Sequence, residues 1–177
     1  MIVMTQVLGA GLVLFSTVAV GTKVAWMYRK RPNQLQQLEI QARSLSSNID
    51  YTATPLPEVF SDLSRQYPKE TGRIFNELHA LLTDSSNPAM TLEEAFKACQ
   101  ETLKEELALT DDDWEILESL FFNLGKSHRE DQLKLIEMTL YQLKNAKKEA
   151  EEERKKNERM WRYLGILAGL LIVVLFW

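Results

Sequence analysis

Two apolar segments bracket an otherwise polar chain, and each carries its basic residues on the inward side. The first runs from Ile2 to Met27 and is closed by Tyr28-Arg29-Lys30-Arg31; the second runs from Trp161 to Trp177 and follows Arg159. A bilayer core of about 30 Å takes about 20 apolar residues as helix. Ile2 to Thr22 holds no charged residue, so the first segment has the length to span. Tyr163 to Trp177 is shorter, roughly 22 Å of helix at the usual rise per residue. Trp161 and Trp177 bracket it at the depths where indole rings settle, and slight thinning of the bilayer absorbs the difference.

Lys and Arg collect on the cytoplasmic side of membrane segments. Lys23, Arg29, Lys30 and Arg31 follow the first segment, while Arg159 and Arg162 flank the start of the second. Both assign the same orientation, with the middle of the chain inside and both termini outside. A cleaved signal peptide is the competing reading of the first segment, but such a peptide has a basic start and a short apolar run. A buried core helix competes for the second, and the lack of a polar face from Gly165 to Phe176 argues against it.

The net charge of −4 hides a segregation. Six of the 21 basic residues are those six at the segment flanks, which leaves residues 32–158 with 15 basic against 25 acidic residues, a net of −10. An acidic body disfavours nucleic acid, which needs Lys and Arg to displace counterions. It suits solubility or a partner with a basic surface. The single Cys99 excludes an intramolecular disulfide, as in a reducing compartment.

The middle of the chain reads as capped helices. Hairpin dipeptides and sustained alternation are absent. After Pro32, the residues Leu35, Leu38, Ala42, Leu45 and Ile49 recur at helical spacing and continue the first apolar segment inward, with a bend or break near the proline. Thr54-Pro55 reads as a cap and first helical position ahead of Leu56, Val59, Phe60 and Leu63. Tyr67-Pro68 breaks the chain before a helix with Ile74, Leu78, Leu81 and Leu82. Thr91-Leu92-Glu93-Glu94, Thr110-Asp111-Asp112-Asp113 and Ser127-His128-Arg129-Glu130 each have the capping-box pattern. The helix after the second box carries Trp114, Leu117, Leu120, Phe121 and Leu124 and stops at Gly125. The last helix presents Leu133, Ile136, Leu140, Leu143 and Ala150, then turns almost wholly charged, with Glu151–Lys155 and Glu152–Lys156 four apart. Only Gly165 and Gly169 weaken helix beyond Ser127, so one long helix is expected into the second apolar segment. The fold class is therefore all-α: a bundle of about six helices whose first and last members extend into terminal membrane segments. The expected divisions are an anchor over 1–31, a helical domain over 32–158 and an anchor over 159–177.

No residue set points to catalysis, a cofactor or a metal. Gly125-Lys126-Ser127 is the tail of a phosphate-binding loop, but Leu120 stands where its first glycine belongs and a helix, not a strand, precedes it. Asp111, Asp112 and Asp113 start a helix, where carboxylates favour the positive end of its dipole. His79 and His128 lack a second ligand at metal spacing, and Cys99 lies on an apolar helix face. Gly165 and Gly169 form a small-residue pair suited to close helix packing. Two other classes stay open: a regulator sensing a ligand in the bundle core, and a spacer that self-associates through Leu133–Ala150.

Several stretches together resemble the stage III sporulation protein AB family. They are Arg31-Pro32 with the Leu35, Leu38, Leu45 stripe; Tyr51 to Leu56; Thr91 to Phe96; Leu124-Gly125-Lys126-Ser127 with Asp131-Gln132; and Leu164 to Leu171. The order and spacing hold across essentially the whole chain. The resemblance implies a cytoplasmic domain similar to the F-type platform proteins of type II secretion and type IV pilus systems, present once rather than twice. It also implies a non-enzymatic membrane scaffold of the mother cell, in the outer forespore membrane. There it would belong to a channel complex required for endospore formation. The expected partners are the membrane, other stage III sporulation proteins, the AA-type cytoplasmic ATPase and channel components. No nucleic acid is expected, and self-association is left open.

Overall fold

The computed structural model describes residues 28–51 and 54–176. They form six helices and, among the described residues, no strand: α1 Lys30–Tyr51, α2 Leu56–Gln66, α3 Gly72–Leu82, α4 Leu92–Leu103, α5 Asp111–Asn123 and α6 Arg129–Phe176. Among the described residues the all-helical expectation holds, with six helices. The first apolar segment, Ile2 to Met27, lies outside the described residues, as do most side chains from Gly165 onward. Among the described residues no helix is long and apolar enough to cross a membrane. The chain divides into two compact units, one of Asn33–Lys148 and one of the stretches up to Pro32 and from Glu149.

In the first of these units, α2, α3, α4 and α5 pack each on the next. The expected stripes face inward: Val59, Phe60 and Leu63 of α2, Ile74 and Leu78 of α3, and Trp114, Leu117 and Phe121 of α5 are all buried, and so are Ala95, Phe96, Cys99 and Leu103 of α4. Phe121 is the hub. Its ring lies 4.9 Å from Phe96 in a stacked pair, 6.0 Å from Phe60 and 6.1 Å from Phe75 in edge contacts. One side chain of α5 thus touches a ring from each of the three preceding helices. Such pairs contribute roughly 0.5–1.5 kcal/mol each beyond their burial.

Helix α1 closes the unit with Leu35, Leu38, Ala42 and Leu45 buried. It runs antiparallel to α6: Glu39 pairs with Lys147 at 2.6 Å, and Asp50 pairs with Arg129. In the other unit, Arg29 meets Glu158 at 2.8 Å and Arg31 meets Glu153 at 3.0 Å.

Two of the three capping boxes form. Thr91 Oγ1 accepts the Glu94 N–H at 3.2 Å while the Glu94 carboxylate accepts the Thr91 N–H at 2.9 Å. That bond from Thr91 holds the Glu94 carboxyl below its ordinary range. Thr110 and Asp113 repeat the exchange at the start of α5. The third box does not form. Helix α6 begins at Arg129, its first backbone bonds end on the His128 carbonyl, and Ser127 accepts the Gln132 side-chain amide through its own carbonyl. The cap of α2 also moves: Pro55, not Thr54, is the boundary residue, and its carbonyl accepts the N–H groups of Glu58 and Val59. Pro57 occupies the first turn, where a missing N–H costs nothing. Pro32 sits likewise in the first turn of α1, after a turn at Tyr28-Arg29.

Two glycines are required by geometry. Gly125 ends α5 with φ +80°, the left-handed stop expected there. A Cβ on Gly72 would lie 1.6 Å from the Tyr67 carbonyl oxygen, so the break at Tyr67-Pro68 folds back directly onto the start of α3.

Polar burial is the main departure from the sequence pattern. Gln34, Gln41 and Thr71 are almost wholly buried. Gln41 Nε2 donates to Thr71 Oγ1 at 3.0 Å, and that hydroxyl donates to Gln37 Oε1 at 3.0 Å. Gln34 Nε2 donates to Glu70, and Gln34 Oε1 accepts the Ala108 N–H at 2.7 Å. Glutamines therefore fasten α1 to the corner before α3 and to the loop between α4 and α5.

Candidate functional site

The residues weighed for chemistry are tied up by the fold. Cys99 is buried in α4 with its Sγ 3.8 Å from the Ile74 carbonyl, and burial pushes its thiol up to about 12. A nucleophilic thiol needs the opposite shift. His79 Nδ1 lies 2.9 Å from the Pro57 carbonyl, bracing α3 against the start of α2. Asp113 serves the cap of α5, and Asp111 pairs with Lys104 at 2.7 Å. Lys126 reaches Glu93 at 3.5 Å, and Gly125 and Ser127 lie in a turn between two helices. These residues are spread over separate corners rather than brought together. Among the described residues no group of three or more His, Cys, Asp or Glu is placed to hold a metal ion.

What the structure does present is surface. Within the unit of Asn33–Lys148, a groove of about 500 Å³ runs between the second half of α1 and the first half of α6. Arg43, Asp50 and Tyr51 line one side, and Leu133, Glu137 and Leu140 the other. Tyr51 is 83% exposed at its end. Nearby on α6, Met138 and Tyr141 are exposed. The groove mixes both signs, because Lys134 and Arg43 oppose Glu137 and Asp50.

The other unit presents a different surface. On α6, Met160, Tyr163, Leu164 and Leu167 are all exposed. Their spacing of three, four and seven puts them on one helix face. Just before them come Lys155, Lys156 and Arg159, also exposed. The expected pairs Glu151–Lys155 and Glu152–Lys156 do not form. The acids of this stretch that do pair, Glu153 and Glu158, reach across to Arg31 and Arg29. A pair along one exposed helix is worth only about 0.3–0.5 kcal/mol, so little is lost when it does not form.

The expected stripes could be read from periodicity. The glutamine network and the α1–α6 groove could not, since each depends on residues far apart in the chain. Gln34 and Gln41 are seven apart beside the Leu35–Leu38–Ala42–Leu45 stripe, a helical repeat that was the available signal for polar groups on a buried face.

Comparison with known proteins places this chain among a recognisable set. Residues 6–177 match the family model described as stage III sporulation protein AB (spore_III_AB). The stage III sporulation protein AB of Bacillus subtilis (strain 168) is 32% identical over 173 residues, covering 97% of this chain and 99% of that protein. A solved structure titled stage III sporulation protein AB (SpoIIIAB) superposes with a TM-score of 0.64 at 24% identity, over 71% of this chain and 97% of that one. That likeness speaks to the fold.

Proposed function

This chain belongs to the stage III sporulation protein AB family, and from that premise we propose that it is a non-enzymatic membrane scaffold acting in spore formation. In this reading the apolar segments at residues 2–27 and 161–177 anchor it in the mother-cell membrane. The helical unit of Asn33–Lys148 docks other stage III sporulation proteins on the cytoplasmic side, among them the AA-type ATPase and the channel components. The observation that carries the reading is the exposed apolar stripe Met160, Tyr163, Leu164 and Leu167. Contiguous exposed apolar surface of this kind marks a membrane or protein contact, and here it follows directly on a basic stretch. The residues that catalysis would use support the non-enzymatic half: Cys99 and His79 are committed to packing and bracing.

The test is extraction. The full chain, expressed in cells, is expected to stay in the membrane pellet after alkaline carbonate washing and to co-purify there with the AA-type ATPase. Release into the wash would sink the anchoring. Retention in the pellet without the ATPase, when other stage III proteins are present, would sink the docking role.

A further inference from the structure

The basic stretch beside that stripe has an uneven charge balance. Arg29 and Arg31 are held by Glu158 and Glu153. Lys30, Lys155, Lys156 and Arg159 are exposed and have no ion pair among the described residues. All four belong to one compact unit, and the Arg29–Glu158 and Arg31–Glu153 bridges set Lys30 beside the turns that carry the other three. Along α6 the order is acid, base, apolar. Glu149, Glu151, Glu152 and Glu153 come first, then the cations, then the stripe, and between Arg154 and Leu167 the one acid is Glu158, already paired.

The cations and the stripe also share a face. Lys156, Met160, Tyr163 and Leu167 follow at intervals of four, three and four, so they stack above one another on α6. Lys156 and Leu167 are about 16 Å apart along the axis. Each headgroup layer is only about 5–8 Å thick, so with Lys156 at the phosphates Leu167 lies within the acyl chains and the Tyr163 ring between the two. An acidic protein would satisfy the cations but leave Met160, Leu164 and Leu167 in water. A neutral bilayer would cover the stripe but leave four cations without counter-charge.

We propose that Lys30, Lys155, Lys156 and Arg159 form a collar that binds the headgroups of anionic phospholipids, so that the protein gathers acidic lipid around the point where α6 meets the membrane. This rests on the membrane reading above and adds the headgroup chemistry. The experiment is tryptophan quenching in the full chain reconstituted into phosphatidylcholine vesicles. Brominated phosphatidylglycerol or brominated phosphatidylcholine is introduced at equal mole fraction. Each cation close to an anionic surface is worth roughly fivefold in association. The anionic quencher is therefore expected to act severalfold more strongly. That excess should vanish in the combined Lys30→Gln, Lys155→Gln, Lys156→Gln, Arg159→Gln variant and persist when the three lysines are instead changed to Arg. Because exposed charges are screened at high salt, the excess in the unaltered protein should also fall in 1 M NaCl, a check independent of how the variant folds. Equal quenching by the two lipids, or an excess that survives both the Gln variant and salt, overturns the collar and leaves the anchors standing. No quenching by either lipid overturns the membrane reading itself.

Discussion

Gln34 Oε1 accepts the Ala108 N–H at 2.7 Å, although the two residues are 74 apart in the chain. The bond is made by a side chain 1% exposed, whose amide also donates to Glu70. One glutamine of α1 thus satisfies a loop N–H between α4 and α5 and holds the corner before α3. Gln34→Ala is expected to lower stability by about 1–3 kcal/mol, the cost of leaving a buried donor without its acceptor. Gln34→Glu should cost more, because it sets a second carboxylate against Glu70. Urea unfolding of the three proteins checks both; a Glu variant as stable as the unaltered chain would show that Glu70 is not held there.

The Phe96–Phe121 stack is expected to be a coupled pair rather than two independent apolar side chains. Each change to Ala should cost about 3–5 kcal/mol from cavity and transfer terms. A double-mutant cycle should return a coupling of roughly 0.5–1.5 kcal/mol. Additive losses would mean that the 4.9 Å ring contact contributes nothing of its own.

Gly72 and Gly125 should respond differently to alanine. At Gly125 the backbone has φ +80° and a Cβ would approach Leu56 Cδ1 at 3.2 Å, a flexible neighbour. The loss there should be about 1–2 kcal/mol, the usual cost of a left-handed L-residue. At Gly72 the Cβ meets a carbonyl oxygen at 1.6 Å, so the corner itself has to move. Gly72→Ala should be the more damaging by a clear margin in thermal unfolding, and equal losses would contradict the close approach at Tyr67.

Glu39 should make stability pH-dependent. The hydrogen bond from Lys147, then that from Arg43, holds its carboxyl below the ordinary value of 4.5. A carboxyl with a depressed folded value adds stability that is whole above its unfolded value and is lost as pH falls through the folded one. Removing it with Glu39→Gln should therefore cost up to about 1 kcal/mol at pH 7, and the gap from the unaltered protein should close as pH falls below the ordinary value of 4.5 and through the lowered one. The measurement is denaturant stability of the two proteins across that range; a gap that is constant with pH would rule out the ion pair as its source.

Thr54 and Ser127 each satisfied a local rule and lost to a competing group, while the Glu151–Lys155 pair does not form. Pro55 took the boundary of α2 with its own carbonyl, and His128 did the same for α6. Glu153 and Glu158 found arginines on the facing stretch instead of lysines on their own helix. The boxes at Thr91 and Thr110 survived, each with both bonds of the exchange made between residues three apart.

The sequence by itself determined the helices, their apolar stripes and two of their caps, because each is settled within about one to four turns of chain by periodicity and short-range hydrogen bonding. It also separated the acidic middle from the basic flanks. Only the tertiary structure decided which polar groups go inside. Gln34 and Thr71 look like surface residues until Ala108, Glu70 and Gln37 arrive from other elements to meet them, and Gln41 until Thr71 accepts its amide N–H. Burying an amide is costly unless a partner meets it, and here the partners lie 30 or more residues away. The exposed collar follows the same logic: pairing of Arg29 and Arg31 across the unit is what leaves Lys30, Lys155, Lys156 and Arg159 facing outward without a counter-charge among the described residues.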